Sequence, residues 1–136
     1  MEANDYCSYE LSLALKKHGF DYPCYFYYTR KDAPDDHVWS TTSGEAPIDY
    51  NRSVYAGCSM PTLAQAQKWL RENKRLIVLV DYILITKDAA NRWCFSVSDT
   101  YGLCDTDKDH KRYDTYESAL SAGIAAALEL IENEKE

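Results

Sequence analysis

The chain has 136 residues, 46% hydrophobic and 27% charged. That is the size and composition of one globular domain, residues 1–136, able to bury a core without disulfide or metal staples. Its formal net charge of −7 repels phosphate backbones, which counts against a general nucleic-acid binder and permits a basic partner. The longest apolar run, 76–85, contains Asp81 and is too short to span a bilayer, and Met1-Glu2-Ala3-Asn4-Asp5 lacks the basic and apolar regions of a secretory signal. The expectation is a soluble, cytoplasmic protein with no membrane partner.

In chain order, Cys7, Leu11, Ala14, Leu15 and His18 form one stripe at helical spacing, predicting a helix over Tyr6–His18. Gly19 stands where a helix-ending glycine belongs, with Phe20 ready for the accompanying apolar contact. The aromatic segment Tyr22–Arg30 predicts a strand, with Cys24, Phe26 and Tyr28 on one face and Tyr25, Tyr27 and Thr29 on the other. Residues 31–36 have turn chemistry, and His37–Thr42 predicts the returning strand. Ser43–Ser59 shows no period and reads as a long irregular loop.

Thr62 and Gln65 make a capping box that opens a second helix, with Leu63, Ala66, Trp69 and Leu70 as its buried stripe. Lys68, Arg71, Glu72, Lys74 and Arg75 lie around its outside. Leu76–Ile85 predicts a strand apolar on both faces, and Arg92–Tyr101 its amphipathic hairpin partner. Gly102–Tyr113 is a polar connection. Asp114 with Glu117 suggests a second capping box for a last helix through Tyr116, Leu120, Ile124, Ala127, Leu128 and Ile131, ending in a frayed tail, Glu132–Glu136. The fold class is therefore α+β: an antiparallel sheet of about four strands with three amphipathic helices, in the order α-β-β-α-β-β-α.

Few motifs carry chemistry. Cys7, Cys24, Cys58, Cys94 and Cys104 are odd in number and widely spaced, which suits reduced, mostly buried thiols rather than a disulfide framework or zinc site. Asp105, Asp107 and Asp109 alternate as in a calcium loop, but His110 replaces the turn glycine and Tyr116 the last ligand, so no metal is assigned. His37 beside Asp35 and Asp36, with Cys24 or Cys58, has the residue types of a thiol nucleophile and its base, without a local signature. No glycine-rich phosphate loop is present, so no cofactor is expected. Two basic clusters, Lys68–Arg75 and Lys108–Arg112, are diluted by carboxylates.

Pro61–Glu72 and Tyr113–Leu120, together with the helix end Leu15–Phe20, resemble a group of small proteins of gut anaerobic bacteria and their phages and mobile elements. The resemblance implies a bacterial, cytoplasmic setting and a mobile-element origin. It carries no activity, ligand or catalytic residue onto any position.

Tyrosine is the compositional outlier, with twelve residues against three phenylalanines, and a tyrosine suits a half-wet surface. The leading functional expectation is a non-enzymatic interaction module, binding itself or another protein through an aromatic sheet face that includes Tyr25, Tyr27, Val78, Val80, Tyr82 and Leu84. The loop Ser43–Ser59 is the alternative cover for that face. Two rival classes stay open. One is a small enzyme or ligand-binding domain using His37, Cys58 and Asp105; the other is an acidic phage-type effector that occupies a nucleic-acid-binding protein.

Overall fold

The computed structural model describes residues 5–28, 38–40, 46–52, 57–84, 86–87, 89–99 and 111–134, with 38–40 and Glu134 described through their backbone alone. They gather into two compact units, Met1–Ala66 and Gln67–Glu136, each taken by itself below.

In the first unit, α1 runs over Tyr9–Lys17. Ser8 starts it, its side-chain oxygen accepting the Leu11 amide at 3.2 Å. The helix therefore begins three residues later than the apolar period suggests, because the cap oxygen satisfies a first-turn amide. Its end follows the expected glycine stop. Gly19 has φ 94°, its N–H donates to the Lys16 carbonyl, and the Phe20 N–H reaches back to Leu15. This is the paired-bond Schellman ending, with Phe20 buried after it.

Strand β1 (Phe26–Tyr28) is the centre of a three-stranded antiparallel sheet in the order β2-β1-β3, where β2 is Val38–Ser40 and β3 is Cys58–Met60. Phe26 faces Ser40 on one side and Met60 on the other. Helix α1 packs on β3. Tyr28, Cys58 and Met60 form the buried cluster between them, with Tyr6, Tyr9 and Phe26 packed against it. The rings meet edge to face, Tyr6 on Phe26 at 5.5 Å and Tyr9 on Tyr28 at 5.4 Å. The Tyr28 hydroxyl donates to the Cys7 carbonyl at 2.7 Å.

The segment expected to be an irregular loop, 43–59, contains a 3₁₀ turn (Tyr50–Arg52) and the start of β3. All three residues of β3 are buried, so it has no alternation to read, and pairing with β1 makes it a strand. Asn51 ties the turn down. Its amide nitrogen donates to the Phe20 carbonyl at 2.9 Å, and its carbonyl oxygen accepts the Ser59 N–H at 2.8 Å.

The unit boundary falls within α2 (Leu63–Trp69). The capping box forms as read: Thr62 Oγ1 accepts the Gln65 N–H at 3.0 Å and Gln65 Oε1 accepts the Thr62 N–H at 2.9 Å. Leu63, Ala66, Trp69 and Leu70 are all buried. A π-helical turn, Leu70–Lys74, then closes the helix, and Arg75 ends it in the left-handed region at φ 56°.

In the second unit, β4 (Leu76–Tyr82) and β5 (Trp93–Asp99) pair antiparallel from Leu76↔Asp99 to Tyr82↔Trp93. Tyr113 extends the pairing beyond β5 through two backbone hydrogen bonds with Trp93. Helix α3 (Tyr116–Glu134) packs on one face of the hairpin. Its start differs from the expected Asp114 cap: Thr115 Oγ1 accepts the Ser118 N–H at 3.0 Å, the reach of an N-cap residue to its third helical amide. The helix runs through Glu134. Gly123 lets helix and sheet approach closely. A Cβ there would lie 2.6 Å from Val78 Cγ1 and 3.2 Å from Phe95 Cβ.

Among the described residues the class is α+β with three α-helices, as expected, but the expected sheet of about four strands is instead two antiparallel sheets, of three and two strands. Sequence alternation identifies a strand and leaves its partners open. Here β1 finds both neighbours, β2 and β3, inside the first unit, and β4 pairs with β5. The order becomes α-β-β-β-α-β-β-α. Among the described residues no helix is long and apolar enough to cross a membrane.

Candidate functional site

Alternation places Leu76, Val78, Val80 and Tyr82 on the hairpin face that α3 covers, opposite Asp99, Val97, Phe95 and Trp93. Burial along this face follows a gradient. Val78 is 1% exposed, Val80 is half-buried, Tyr82 is 46% exposed and Leu84, just beyond the strand, is 79% exposed. Gly123 presses α3 onto Val78 and Phe95, and Tyr116, the first residue of the helix, meets Trp93 at the far end.

The far end is aromatic. Trp93 stands between Tyr82 and Tyr116, both rings edge to face with it at 4.8 and 5.6 Å. Tyr116 is itself exposed. Arg92 lies over the Tyr82 ring at 5.9 Å and donates through Nη1 to the carbonyls of Ile83 and Leu84. This guanidinium fixes the strand end and gives the patch a cationic rim. The opposite face pairs Ile77 with Ser98, Leu79 with Ser96 and Asp81 with Cys94. On this face Leu79 is exposed and its neighbour Ile77 is half-buried.

Of the six residues singled out in the sequence, Val78, Val80 and Tyr82 thus share one face of β4, with Val78 in the core, and Leu84 lies just past the strand end. Tyr25 and Tyr27 belong to the first unit. Tyr25 is exposed, and Tyr27 is half-buried with its ring 4.3 Å from that of Tyr50. Tyr50 comes from the segment named as the alternative cover, so at Tyr27 that cover is present. The sequence reading missed Trp93 and Tyr116 as neighbours of Tyr82; the apolar positions Trp93 and Tyr116, each the first of its element, were the available signal.

The three buried thiols are poor nucleophiles. Cys7, Cys24 and Cys58 are free and buried. Burial pushes Cys58 up to about 11, with Lys16 opposing, and Cys24 up to about 12, with a Ser59 hydrogen bond opposing. Cys7 is raised further by burial and by the other two thiols. A thiol held protonated this far above neutrality does not attack or ligate. Burial also raises the Asp49 carboxyl, against the Asn51 amide that bonds it.

Among the described residues no group of His, Cys, Asp and Glu is arranged to hold a metal ion. His37, Cys104 and the alternating carboxylates Asp105, Asp107 and Asp109 lie outside the described residues. No protein-family model, curated protein or solved structure matches this chain.

Proposed function

We propose that the chain is a non-enzymatic protein-interaction module whose contact surface is the open end of the β4–β5 face, at Tyr82, Leu84, Trp93 and Tyr116. One observation carries the reading: along one face of β4 the apolar side chains pass from full burial at Val78 to 46% exposure at Tyr82, and Leu84, just past the strand, is 79% exposed. Apolar surface left in water forgoes roughly 25 cal/mol per Å² of stabilisation, which a partner recovers by covering it. Tyrosine and tryptophan are the residues that concentrate binding energy at interface centres. The high protonation range of Cys24 and Cys58 supports the reading against a thiol enzyme. The partner is a second copy or another protein.

The test is a photo-crosslinking residue at position 84, combined with sedimentation velocity over a wide concentration range. A discrete conjugate, lost in a Tyr82→Ser variant that keeps its unfolding midpoint, supports the reading. A monomer at every concentration, with no conjugate in the host lysate, overturns it.

A further inference from the structure

The stretch closing α2 is exposed and basic. Leu70 and Leu76 are buried, and the five residues between them, Arg71 to Arg75, are all exposed. With Lys68, also exposed, the eight residues Lys68–Arg75 hold four cations and one carboxylate, a net +3 on a chain of net −7. A helix C-terminus favours a cation or two in its last turn; four in eight residues go beyond what the helix dipole asks for. The backbone is irregular at the same place. The π-helical turn Leu70–Lys74 and the left-handed Arg75 interrupt a regular helix end, and such turns are frequent at functional sites. Lys74 lies over the Trp69 ring at 5.5 Å, which leaves Lys68, Arg71 and Arg75 as the remaining exposed cations of the stretch.

We propose that this ridge recognises a short acidic segment of a partner protein. Arg71 and Arg75 supply planar forks that bind a carboxylate through two parallel hydrogen bonds, and Lys68 supplies a third, point-like charge. Two features favour a peptide over a nucleic acid. The ridge is roughly 10 Å long at helical rise, the span of about three extended residues, so it matches two or three carboxylates, whereas a longer polyanion runs onto the acidic remainder of the chain. The ring beside it, Trp69, is 2% exposed and offers no base a stacking platform. The inference rests on the helix end alone and does not require the aromatic hairpin surface.

The experiment is fluorescence anisotropy with labelled hexaglutamate, and with hexalysine and a twelve-nucleotide oligothymidylate as comparisons. The expected result is saturable binding of hexaglutamate that weakens about fivefold or more between about 50 and 300 mM salt. It should weaken by about the same factor in Arg71→Gln/Arg75→Asn, where asparagine tolerates the left-handed backbone. These positions are exposed, so the unfolding midpoint should stay within about 2 °C, and Leu84→Asp should bind the peptide as the parent does. Tighter binding of the oligothymidylate overturns the proposal in favour of nucleic acid. No saturation by hexaglutamate up to about 1 mM, or undiminished binding by the double variant, overturns it outright.

Discussion

The strands of the first unit are three residues long, and side chains that bond backbone hold the surrounding segments in place. Asn51 bridges Phe20 and Ser59, Ser59 Oγ accepts the Tyr50 N–H, Lys16 Nζ donates to the Gly57 carbonyl, and Tyr28 reaches Cys7. In the second unit, two seven-residue strands pair along their whole length beneath a nineteen-residue helix. Its core is Leu76, Val78, Phe95, Val97, Leu120, Ile124 and Leu128. The first unit buries polar and titratable groups and depends on each finding its partner. The second buries hydrocarbon and depends on fit. These are different vulnerabilities, and the first shows at high pH.

Cys7, Cys24 and Cys58 all have folded-state pKa values raised above the ordinary 9.0, to about 12 for Cys24 and about 11 for Cys58. Below pH 8 both folded and unfolded thiols keep their protons, and the stability is fully present. Above pH 9 the unfolded thiols lose protons that the folded ones keep. Stability therefore falls as pH rises from 9 toward the folded values. The loss is about 1.4 kcal/mol per thiol at pH 10, or roughly 4 kcal/mol for three. Amide exchange, corrected for its intrinsic base catalysis, should show β3 losing protection well before Val78 and Val97 in the second unit. Cys24→Ala should flatten the alkaline limb by one proton. Equal loss in both units would break the distinction.

Asn51→Ala removes one side chain and strands two partners, the Phe20 carbonyl and the Ser59 N–H. An unsatisfied buried group costs about 1–3 kcal/mol, so a loss of about 2–3 kcal/mol is expected by urea unfolding. Asn51→Asp keeps the acceptor for Ser59 and should recover part of it. In the second unit Gly123→Ala probes fit. The added methyl would meet Val78 Cγ1 at 2.6 Å, a stiff side chain in a buried site. Overpacking of about 1–3 kcal/mol is partly offset by the better helix propensity of alanine, about 1 kcal/mol, so a net loss of up to about 2 kcal/mol is expected. Val78→Ala in the same chain should restore room for the methyl, making the two changes non-additive in a double-mutant cycle.

The same contrast explains what could be read from the residues. In the helices, the stripes Leu11–Leu15, Leu63–Leu70 and Leu120–Leu128 are the observed buried sets, because burial on one side of a helix imposes a 3.6-residue period. The Gly19 stop and the Thr62–Gln65 box are local and needed no tertiary information. β3 was invisible, because Cys58, Ser59 and Met60 are buried on every side and three residues are too few for a period. Asn51 was invisible for another reason: its role comes from Phe20 and Ser59, 31 and 8 residues away. At the hairpin surface, Tyr82 and Leu84 could be named from alternation, but the burial gradient depends on where α3 starts. A shift of the helix cap from Asp114 to Thr115 is a question of one hydrogen bond.

The smallest expected effect on stability sharpens the comparison most, because it separates folding from function within one unit. Leu84→Asp changes a side chain 79% exposed and beyond the last paired residue of β4. Surface substitutions of this kind move stability by about 0.5 kcal/mol or less. Val78→Asp, six residues earlier within β4 and 1% exposed, buries a carboxylate against Gly123 and Phe95 and should unfold the unit. If Leu84→Asp leaves the unfolding midpoint in place and abolishes association, the open end of the face serves a partner and not the core. If instead it lowers the midpoint as a core change does, Leu84 is part of the packing, and the gradient from Val78 outward is only an imperfectly closed core.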